Sequence, residues 1–368
     1  MHELYYWIAL RLSAGIGNVT CKNLLAKFGS PERVFHAGRE DLAQVEGMGP
    51  QTVEAIGRFR HSDAIDREIE RIEAAGVQAL TISSPEYPDN LKNIYDPPPF
   101  LYVKGRLKPQ DQQALAVVGS RSSSDYGRKV ALDICREMAA AGLTVVSGMA
   151  RGIDSVAHAA ALAGKGRTIA VLGCGVDIVY PLENKKLYDR IAENGAVVSE
   201  YSMGVKPNAY NFPARNRIIS GLALGVLVVE AGMKSGSLIT ARMALDQGRD
   251  VFAVPGSIYS FKTKGVHSLL RSGAKLVEGA ADIFEELKLG KPQHGNVEPE
   301  PEADVIAELE PALQNLYGML QESPVHIDDL IVRSHLPSGQ LSSLLLELEL
   351  GGFVQQLPGK RFAKAHIN

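Results

Sequence analysis

The sequence predicts an α/β protein whose central domain is a mainly parallel sheet covered by helices on both faces. Between Leu115 and Lys288, short apolar segments alternate without interruption with amphipathic segments of about ten to fifteen residues. The apolar segments are continuous, which is typical of strands that are buried on both sides. We therefore expect a doubly wound, Rossmann-like domain that binds its ligand at the carboxyl ends of the strands.

Length and composition indicate several globular domains. The chain has 368 residues, 45% hydrophobic and 22% charged, against roughly 100 to 200 residues in a typical domain. The net charge is -3, so a nucleic-acid contact would need a local basic pocket. The three cysteines lie far apart and without metal-ligand spacing, which predicts buried thiols and neither disulfides nor a zinc site.

The start of the chain gives no indication of export. Glu3 stands ahead of the apolar run, Arg11 lies inside it, and no basic leader precedes it, which disfavours a signal peptide. No stretch reaches the ~18 uninterrupted apolar residues that a transmembrane helix needs. We expect a cytoplasmic protein without membrane contact.

Residues 1–65 are predicted to form a small helical domain of the SAM-like, helix-hairpin-helix type. The turns Gly15-Ile16-Gly17 and Gly47-Met48-Gly49 precede the helical patterns NVTCKNLLAKF and PQTVEAIGRF. In helix-hairpin-helix units, glycines permit the tight turn and the amides of the next helix face a phosphate. The alternative is that these glycines only connect the helices of a packing domain.

Residues 66–288 are predicted to form the extended Rossmann-like domain. A bridging region, 66–110, ends with three prolines and the strand-like FLYVKG. The further predicted strands are LAVVGS, LTVVSG, TIAVLG, AVVSEY, GVLVVEA, DVFAVPG and KLVEG. The predicted helices between them are YGRKVALDICREMAAAG, SVAHAAALAG, KKLYDRIAENG, RNRIISGLALG, SLITARMALDQG and VHSLLRSGA.

The last part of the chain predicts a linker and a third domain. Residues 289–304 are polar and rich in proline and glutamate, which is typical of a flexible linker. Residues 305–368 predict three helices and then two short strands, the pattern of a winged helix. The hairpin is basic but the third helix carries Glu347 and Glu349, so a protein contact or a structural role is favoured over DNA binding.

Four predicted loops at strand ends combine glycine and serine with a basic side chain. Glycine permits close backbone approach, hydroxyls and amides donate hydrogen bonds, and arginine binds phosphate in a bidentate manner. Any one loop alone would be an ordinary turn or cap, but four on one rim predict a phosphate-binding pocket. The candidate residues are Gly119, Ser120 and Arg121; Ser147, Gly148, Arg151 and Gly152; Phe212, Arg215, Asn216 and Arg217; and Lys234, Ser235, Gly236 and Ser237.

Nucleotide cofactors are not expected. The segment GCGVDI begins like a dinucleotide fingerprint but has Ile178 in place of the third glycine, and no P-loop motif occurs. Asp154 is predicted to cap a helix or orient an arginine, and His158 to be packed. Asp177 and Tyr180 are expected to shape their loop. Glu230, at the end of GVLVVE, is the carboxylate best placed for catalysis, although an orienting role is favoured.

Five long segments resemble the DprA/Smf family of DNA-processing proteins. They are GSRSSSDYG, SGMARGIDSVAH, TIAVLGCGVDIVYPLEN, NFPARNRIISGLALGVLVVEA and SGSLITARMALDQGRDVFAVPG. The resemblance covers residues 80–285 closely, and the flanking helical and winged-helix-like segments fit longer members. It implies a pocket for single-stranded DNA, a homodimer, and delivery of the strand to the recombinase RecA during natural transformation.

The resemblance also implies residue roles. Arg121 would contact phosphate, Phe212 would stack on a base, and Arg215 and Arg217 would complete a basic rim. Ala209 stands where some relatives carry a lysine, for which Lys206 is the nearest substitute. Family members commonly have Gly-x-Asn where this chain has Gly265-Val266-His267, so no role is transferred there.

Two other functions are compatible with the residues. One is a nucleoside-phosphate hydrolase or transferase that uses Glu230 on the same fold, although the PGGxGT loop of related phosphoribohydrolases is replaced by EAGMKSGS. The other is a central scaffold whose terminal modules bind DNA. We favour a non-enzymatic single-strand-binding mediator without cofactor or metal, because an aromatic side chain beside arginines in a phosphate pocket suits single-strand binding.

Overall fold

A computed structural model of the chain separates into two compact units, Met1–Gln293 and His294–Asn368. Apart from Leu289, the predicted linker 289–304 lies outside the described residues. The structure describes residues 3–13, 15–289, 311–320, 324–334, 336–350, 354–357 and 359–364.

The first unit begins with short helices, as predicted. Gly15 (φ +83°) and Gly47 (φ +88°) turn the chain in the two hairpins, and a Cβ on either would collide with a threonine of the other hairpin, Thr52 or Thr20. Each hairpin therefore packs closely against a threonine of the other, and the two form a tandem repeat. The helices are α1 (Glu3–Leu12), α2 (Asn18–Phe28), α3 (Pro31–His36), α4 (Arg39–Ala43), α5 (Pro50–Gly57) and α6 (Asp63–Ala74).

A nine-stranded sheet forms the centre of the first unit, in the order β1-β2-β6-β5-β4-β3-β7-β8-β9. The seven neighbouring strands β6-β5-β4-β3-β7-β8-β9 all pair in parallel. Strand β2 pairs antiparallel with both β1 and β6. The doubly wound, mainly parallel fold class is confirmed. The strands are β1 (Gln78–Thr81), β2 (Phe100–Gly105), β3 (Ala114–Val118), β4 (Thr144–Ser147), β5 (Thr168–Val171), β6 (Ala196–Ser199), β7 (Gly225–Val228), β8 (Asp250–Ala253) and β9 (Lys275–Leu276).

Helices cover both faces of this sheet. One apolar layer includes α8, α9 and α14, and the layer on the other face includes α7, α11, α12 and α13. All residues of the central strands β3, β4, β5, β6 and β7 are buried, because these strands contribute side chains alternately to the two covered faces. The helices are α7 (Asp89–Lys92), α8 (Asp125–Ala140), α9 (Ile153–Ala163), α10 (Lys185–Asn194), α11 (Asn211–Leu222), α12 (Ser237–Asp246), α13 (Lys264–Arg271) and α14 (Ala280–Glu286).

The N-terminal helices pack directly on the edge of the sheet. Trp7 of α1 and Ile72 of α6 share an apolar cluster with Phe100 and Tyr102 of β2. The boundary that the sequence analysis places at residue 65 therefore falls inside α6. The predicted strand FLYVKG is β2, and β1 beside it was missed.

The second unit has the winged-helix arrangement that the sequence predicts. Its helices are Pro311–Met319, Ile327–Ser334 and Ser338–Leu350, and its strands are β10 (Val325–His326), β11 (Val354–Leu357) and β12 (Arg361–Lys364). The two predicted strands pair antiparallel as β11 and β12, and β10 adds a third strand to this small sheet. Leu316, Leu330 and Leu345 belong to its separate apolar core.

The three cysteines are buried and unpaired, as predicted. Within the described residues, no helix is both long enough and apolar enough to cross a membrane.

Candidate nucleic-acid interface

A cleft of about 980 Å³ opens at the carboxyl-terminal edge of the parallel strands. It lies at the switch point of the sheet: β3 stands between β4 and β7, and the helices that follow β3 and β7 cover opposite faces. Open α/β sheets bind ligands at such points. The predicted site residues that line the cleft are Gly119, Arg121, Lys206, Phe212, Arg215, Asn216, Ser235, Gly236 and Ser237.

The first and second predicted loops are packed against each other by glycine. A Cβ on Gly119 would come within 2.6 Å of the Ile153 side chain, and one on Gly152 within 2.2 Å of the Ser120 carbonyl oxygen. The Ile153 amide donates to that same carbonyl at 3.2 Å. These glycines therefore serve backbone packing, and the packing fixes Arg121 at the rim of the cleft.

Phe212 forms an aromatic platform in the cleft. Its ring stacks on that of Tyr180 with 5.8 Å between centroids and 29° between planes. The guanidinium carbons of Arg121 and Arg215 lie 5.6 Å and 5.8 Å from the Phe212 centroid. Two cations thus lie close to one half-buried ring. Gly173 leaves room for this ring, because a Cβ there would lie 2.9 Å from it.

Phe212 and its neighbours lie on a helix and not on a loop, which corrects the prediction for NFPARNR. Helix α11 begins at Asn211, so Phe212 and Pro213 occupy its first turn. Proline is tolerated there because the first amides of a helix have no intrahelical partner. The predicted start of this helix, at Arg215, is four residues late.

Arg215 is buried at the base of the cleft. Its Nη1 donates to the Gly148 carbonyl at 2.7 Å and also to the carbonyl of Val171. Burial lowers the pKa of this guanidinium to about 10, opposed by the nearby carboxylate of Asp154, so it stays charged at neutral pH. Gly148 is required here, since a Cβ would lie 2.7 Å from the guanidinium.

Asp154 connects the second loop to this arginine. Its Oδ2 accepts from the amides of Gly148 (3.2 Å) and Ala150 (3.3 Å), and the side chain lines the cleft. Burial raises the pKa of the carboxyl to about 6, against the lowering effect of Arg215. The side chain binds amides of the loop that precedes it and lies near Arg215, which agrees with the predicted role of orienting an arginine.

The fourth loop places small polar groups at the start of α12. Ser235 and Ser237 share a hydrogen bond of 2.7 Å between their hydroxyls, and Gly236 lies between them on the cleft wall. Amides at a helix N-terminus favour anions. Exposed Lys206 lines the same cleft from the segment after β6, where it adds a positive charge.

Arg217 does not reach the predicted rim. Two residues along a helix point in nearly opposite directions, so Arg217 faces away from the side occupied by Arg215. It is buried in ion pairs with Glu200 and Asp96. The prediction that Arg217 completes the basic rim is wrong, because its side chain does not line the cleft.

Other predicted residues lie outside the cleft. Ser147 is fully buried and donates to the Val117 carbonyl at 2.6 Å. Exposed Arg151 forms an ion pair with Glu183 beside a second cavity of about 530 Å³. Lys234 and Ser120 line a separate groove, described below.

Glu230 binds the start of α8. It is buried, and its two carboxylate oxygens accept from the Ser124 amide (2.9 Å) and the Ser124 hydroxyl. A Cβ on Gly127 would come within 2.6 Å of this carboxylate. Glu230 lines none of the cavities described here, so the geometry agrees with an orienting role.

Tyr180 is the site residue that sequence reasoning undervalued. Its predicted role is to shape a loop, yet the side chain is 46% exposed, lines the cleft and stacks on Phe212. The signal in the sequence was an aromatic residue shortly after a glycine-rich strand end. The Asp177 carboxylate accepts from the Gly204 amide at 2.9 Å and so joins its loop to the segment after β6. His158 is packed, with 2.6 Å between Nδ1 and the Thr168 hydroxyl.

Three protein-family models match the chain. The model of DNA recombination-mediator protein A matches residues 78–288, more than half of the chain. The DprA winged helix domain matches residues 299–360, and a SAM-like helix-hairpin-helix tandem matches residues 14–57.

Comparisons with individual proteins give the same family as these matches. Protein Smf from Synechocystis sp. is 35% identical over 98% of this chain and 99% of its own length. The X-ray structure of DNA processing protein A from Streptococcus pneumoniae superimposes with a TM-score of 0.69 and 39% identity, over 77% of this chain and 97% of that one. The structure that describes the single-stranded DNA binding mode of the Helicobacter pylori DNA processing protein A superimposes with a TM-score of 0.52 and 31% identity. The match covers 58% of this chain and 97% of that one. The resemblance noted in the sequence is confirmed, and the chain belongs to the DNA recombination-mediator protein A (DprA/Smf) family.

Proposed function

We propose that this protein binds single-stranded DNA in the cleft and acts as a recombination mediator. The observation that carries the proposal is the Phe212 ring, which lies 5.6 Å and 5.8 Å from the guanidinium carbons of Arg121 and Arg215 inside an open cleft. Single-strand binding requires both a positively charged path for the backbone and an aromatic face for the bases. The Helicobacter pylori relative, described as binding single-stranded DNA, supports the same ligand here.

In this proposal the cations hold phosphates and the rings stack on bases. Exposed Arg121 and Lys206 neutralise the backbone at the rim, while buried Arg215 supplies a fixed charge below it. Phe212, backed by Tyr180, stacks on one base. Duplex DNA keeps its bases paired and cannot present a free face to the ring, so a single strand is preferred. The glycines and serines of the four loops act by packing and by offering amides.

The wider role follows from the family. We propose that the protein acts as a homodimer in the cytoplasm, protects incoming single strands, and loads RecA on them during DNA uptake, without catalysis of its own. RecA-dependent strand exchange on DNA coated with single-strand-binding protein tests this step. The protein should raise the initial rate at least severalfold, and an unchanged rate at saturating protein would contradict the mediator role.

Fluorescence anisotropy of a labelled oligo-dT tests the binding itself. Wild type should bind, and affinity for a duplex of equal length should be lower. Arg121→Ala should lose most of the affinity because it removes the rim cation that lies against the stacking ring. Arg190→Ala, an exposed arginine on α10 outside the cleft, is the matched control and should leave affinity unchanged. Equal losses in both variants, or equal affinity for duplex, would argue against the cleft as the site.

A further inference from the structure

A second groove lies beside the cleft and carries residues that the proposed site does not use. It has a volume of about 460 Å³ and shares Arg121 and Ser235 with the cleft lining. Its other walls come from the loop after β7 and from the segment between β8 and α13, which was not assigned any role from the sequence.

Four cations face this groove. Arg121, Lys234, Lys262 and Lys264 are among its lining residues, and none of the residues that line it is acidic. In a protein whose net charge is -3, such a local excess of positive charge favours a polyanion.

Large apolar side chains are exposed next to these cations. Phe261 is 74% exposed and Met233 is 60% exposed, and both line the groove. Tyr259, two residues before Phe261, is 90% exposed. Exposed apolar groups that are contiguous, unlike scattered ones, mark an interaction surface. The order of aromatic and basic residues in SIYSFKTK is the combination that binds single strands, through stacking and phosphate contacts.

The segment that presents Phe261 is firmly held. The Thr263 hydroxyl donates to the carbonyls of Ser257 (2.6 Å) and Ser260 (2.9 Å). The amide of Gly265 donates to the Ala231 carbonyl at 2.8 Å, and a Cβ on Gly265 would lie 2.7 Å from that oxygen. The start of α13 is therefore held against the loop that follows β7, so Phe261 is exposed on a segment whose backbone is hydrogen-bonded at both ends.

We propose that this groove binds the continuation of the same single strand that occupies the cleft, with Phe261 as a second stacking platform. The inference rests on the proposed function. Arg121 lines both cavities and gives the backbone an unbroken positive path from Phe212 to Phe261. A long oligonucleotide engages both platforms, whereas a short one fills the cleft alone.

Oligonucleotide length separates the two sites. We would measure the affinities of oligo-dT of about 6 and about 20 nucleotides, within and beyond the site size of a single binding fold. Phe261→Ala/Lys262→Ala should weaken binding of the long oligonucleotide about tenfold, the size of one lost stacking contact. It should leave the short one unchanged. Phe261→Trp, which keeps an aromatic face, should retain the affinity for the long oligonucleotide.

Two control variants remove similar groups elsewhere. Tyr95→Ala removes an aromatic side chain that is 80% exposed and lies outside both cavities. Lys165→Ala removes an exposed lysine from the loop between α9 and β5, at the opposite edge of the sheet. Neither variant should change the affinity for either oligonucleotide.

The outcomes are distinguishable. If wild type binds both oligonucleotides and the double variant matches it on the long one, the inference is overturned and the proposed function stands. If wild type binds neither, the proposed function fails and this inference fails with it. If the double variant binds DNA normally but sediments as a smaller species than wild type, the patch is a contact between copies of the chain, which also overturns the inference.

Discussion

Phe212 is the side chain on which the binding proposal depends most directly. A stacked base contributes roughly 1 to 3 kcal/mol, so Phe212→Ala should weaken oligo-dT binding about tenfold or more. Phe212→Tyr should keep most of the affinity because it retains the ring. Anisotropy titrations measure both, with Tyr95→Ala as the control for loss of an exposed ring. Full affinity in Phe212→Ala would remove the stacking role.

We expect oligonucleotide binding to depend on pH through Asp154. Burial raises the pKa of its carboxyl to about 6, so the group is ionised at pH 7.5 and largely protonated at pH 5. Protonation removes a negative charge beside Arg215, which should strengthen phosphate binding as the pH falls through 6. We expect a gain of about twofold to fivefold, the size of one partly screened charge interaction.

The same shift has a consequence for stability. Because the carboxyl binds a proton more tightly in the folded than in the unfolded state, its contribution to the free energy of unfolding is greatest at acidic pH. That contribution decreases as the pH rises from about 4 to 6.

Asp154→Asn should flatten the pH dependence of oligonucleotide affinity, measured by anisotropy between pH 5 and 7.5. A variant with the wild-type slope would exclude Asp154 as the titrating group.

Among the secondary-structure elements, the two N-terminal hairpins give the sharpest test of packing. Gly15→Ala should destabilise the fold by about 1 to 3 kcal/mol, because φ is +83° and the new Cβ would meet the Thr52 hydroxyl at 2.4 Å. Gly49→Ala is the matched control: φ is -84° and no atom lies within 4 Å of the added Cβ. Urea unfolding followed by the fluorescence of Trp7, the single tryptophan, measures both. Equal costs would contradict the interlocked arrangement.

The predicted elements differ from the observed ones at the edges. The seven apolar segments between Leu115 and Lys288 all contain a strand. The composition of the first six suits burial on two faces, whereas both residues of the short edge strand β9 are exposed. The strands β1 and β10 were missed because they are short edge strands, formed only by pairing with β2 and β12. The start of α11 was placed too late because the turn residues around Pro213 are equally typical of a loop and of a first helical turn.

For the molecule as a whole, the position of the cleft predicts the effect of truncation. Every residue that lines it belongs to the unit Met1–Gln293, and the winged helix has a core of its own. A chain that ends at Gln293 should therefore bind oligo-dT within about twofold of the full-length protein, a difference well below 1 kcal/mol. Anisotropy with both proteins measures this. Loss of binding on truncation would instead assign the DNA contact to the C-terminal unit.

Local patterns were enough to predict the α/β class, the hairpin repeat, the winged helix and the glycine-rich strand ends, because each depends on residues close together in the chain. They were not enough to show which arginine faces the cleft. Arg215 and Arg217 look equivalent in sequence, but the turn of α11 and the distant partners Glu200 and Asp96 direct them to different places. The stacking of Tyr180 on Phe212 and the meeting of Arg121 with Phe261 across one groove likewise arise from long-range packing. Strand order and helix phase, which bring remote residues together, are properties of the folded chain.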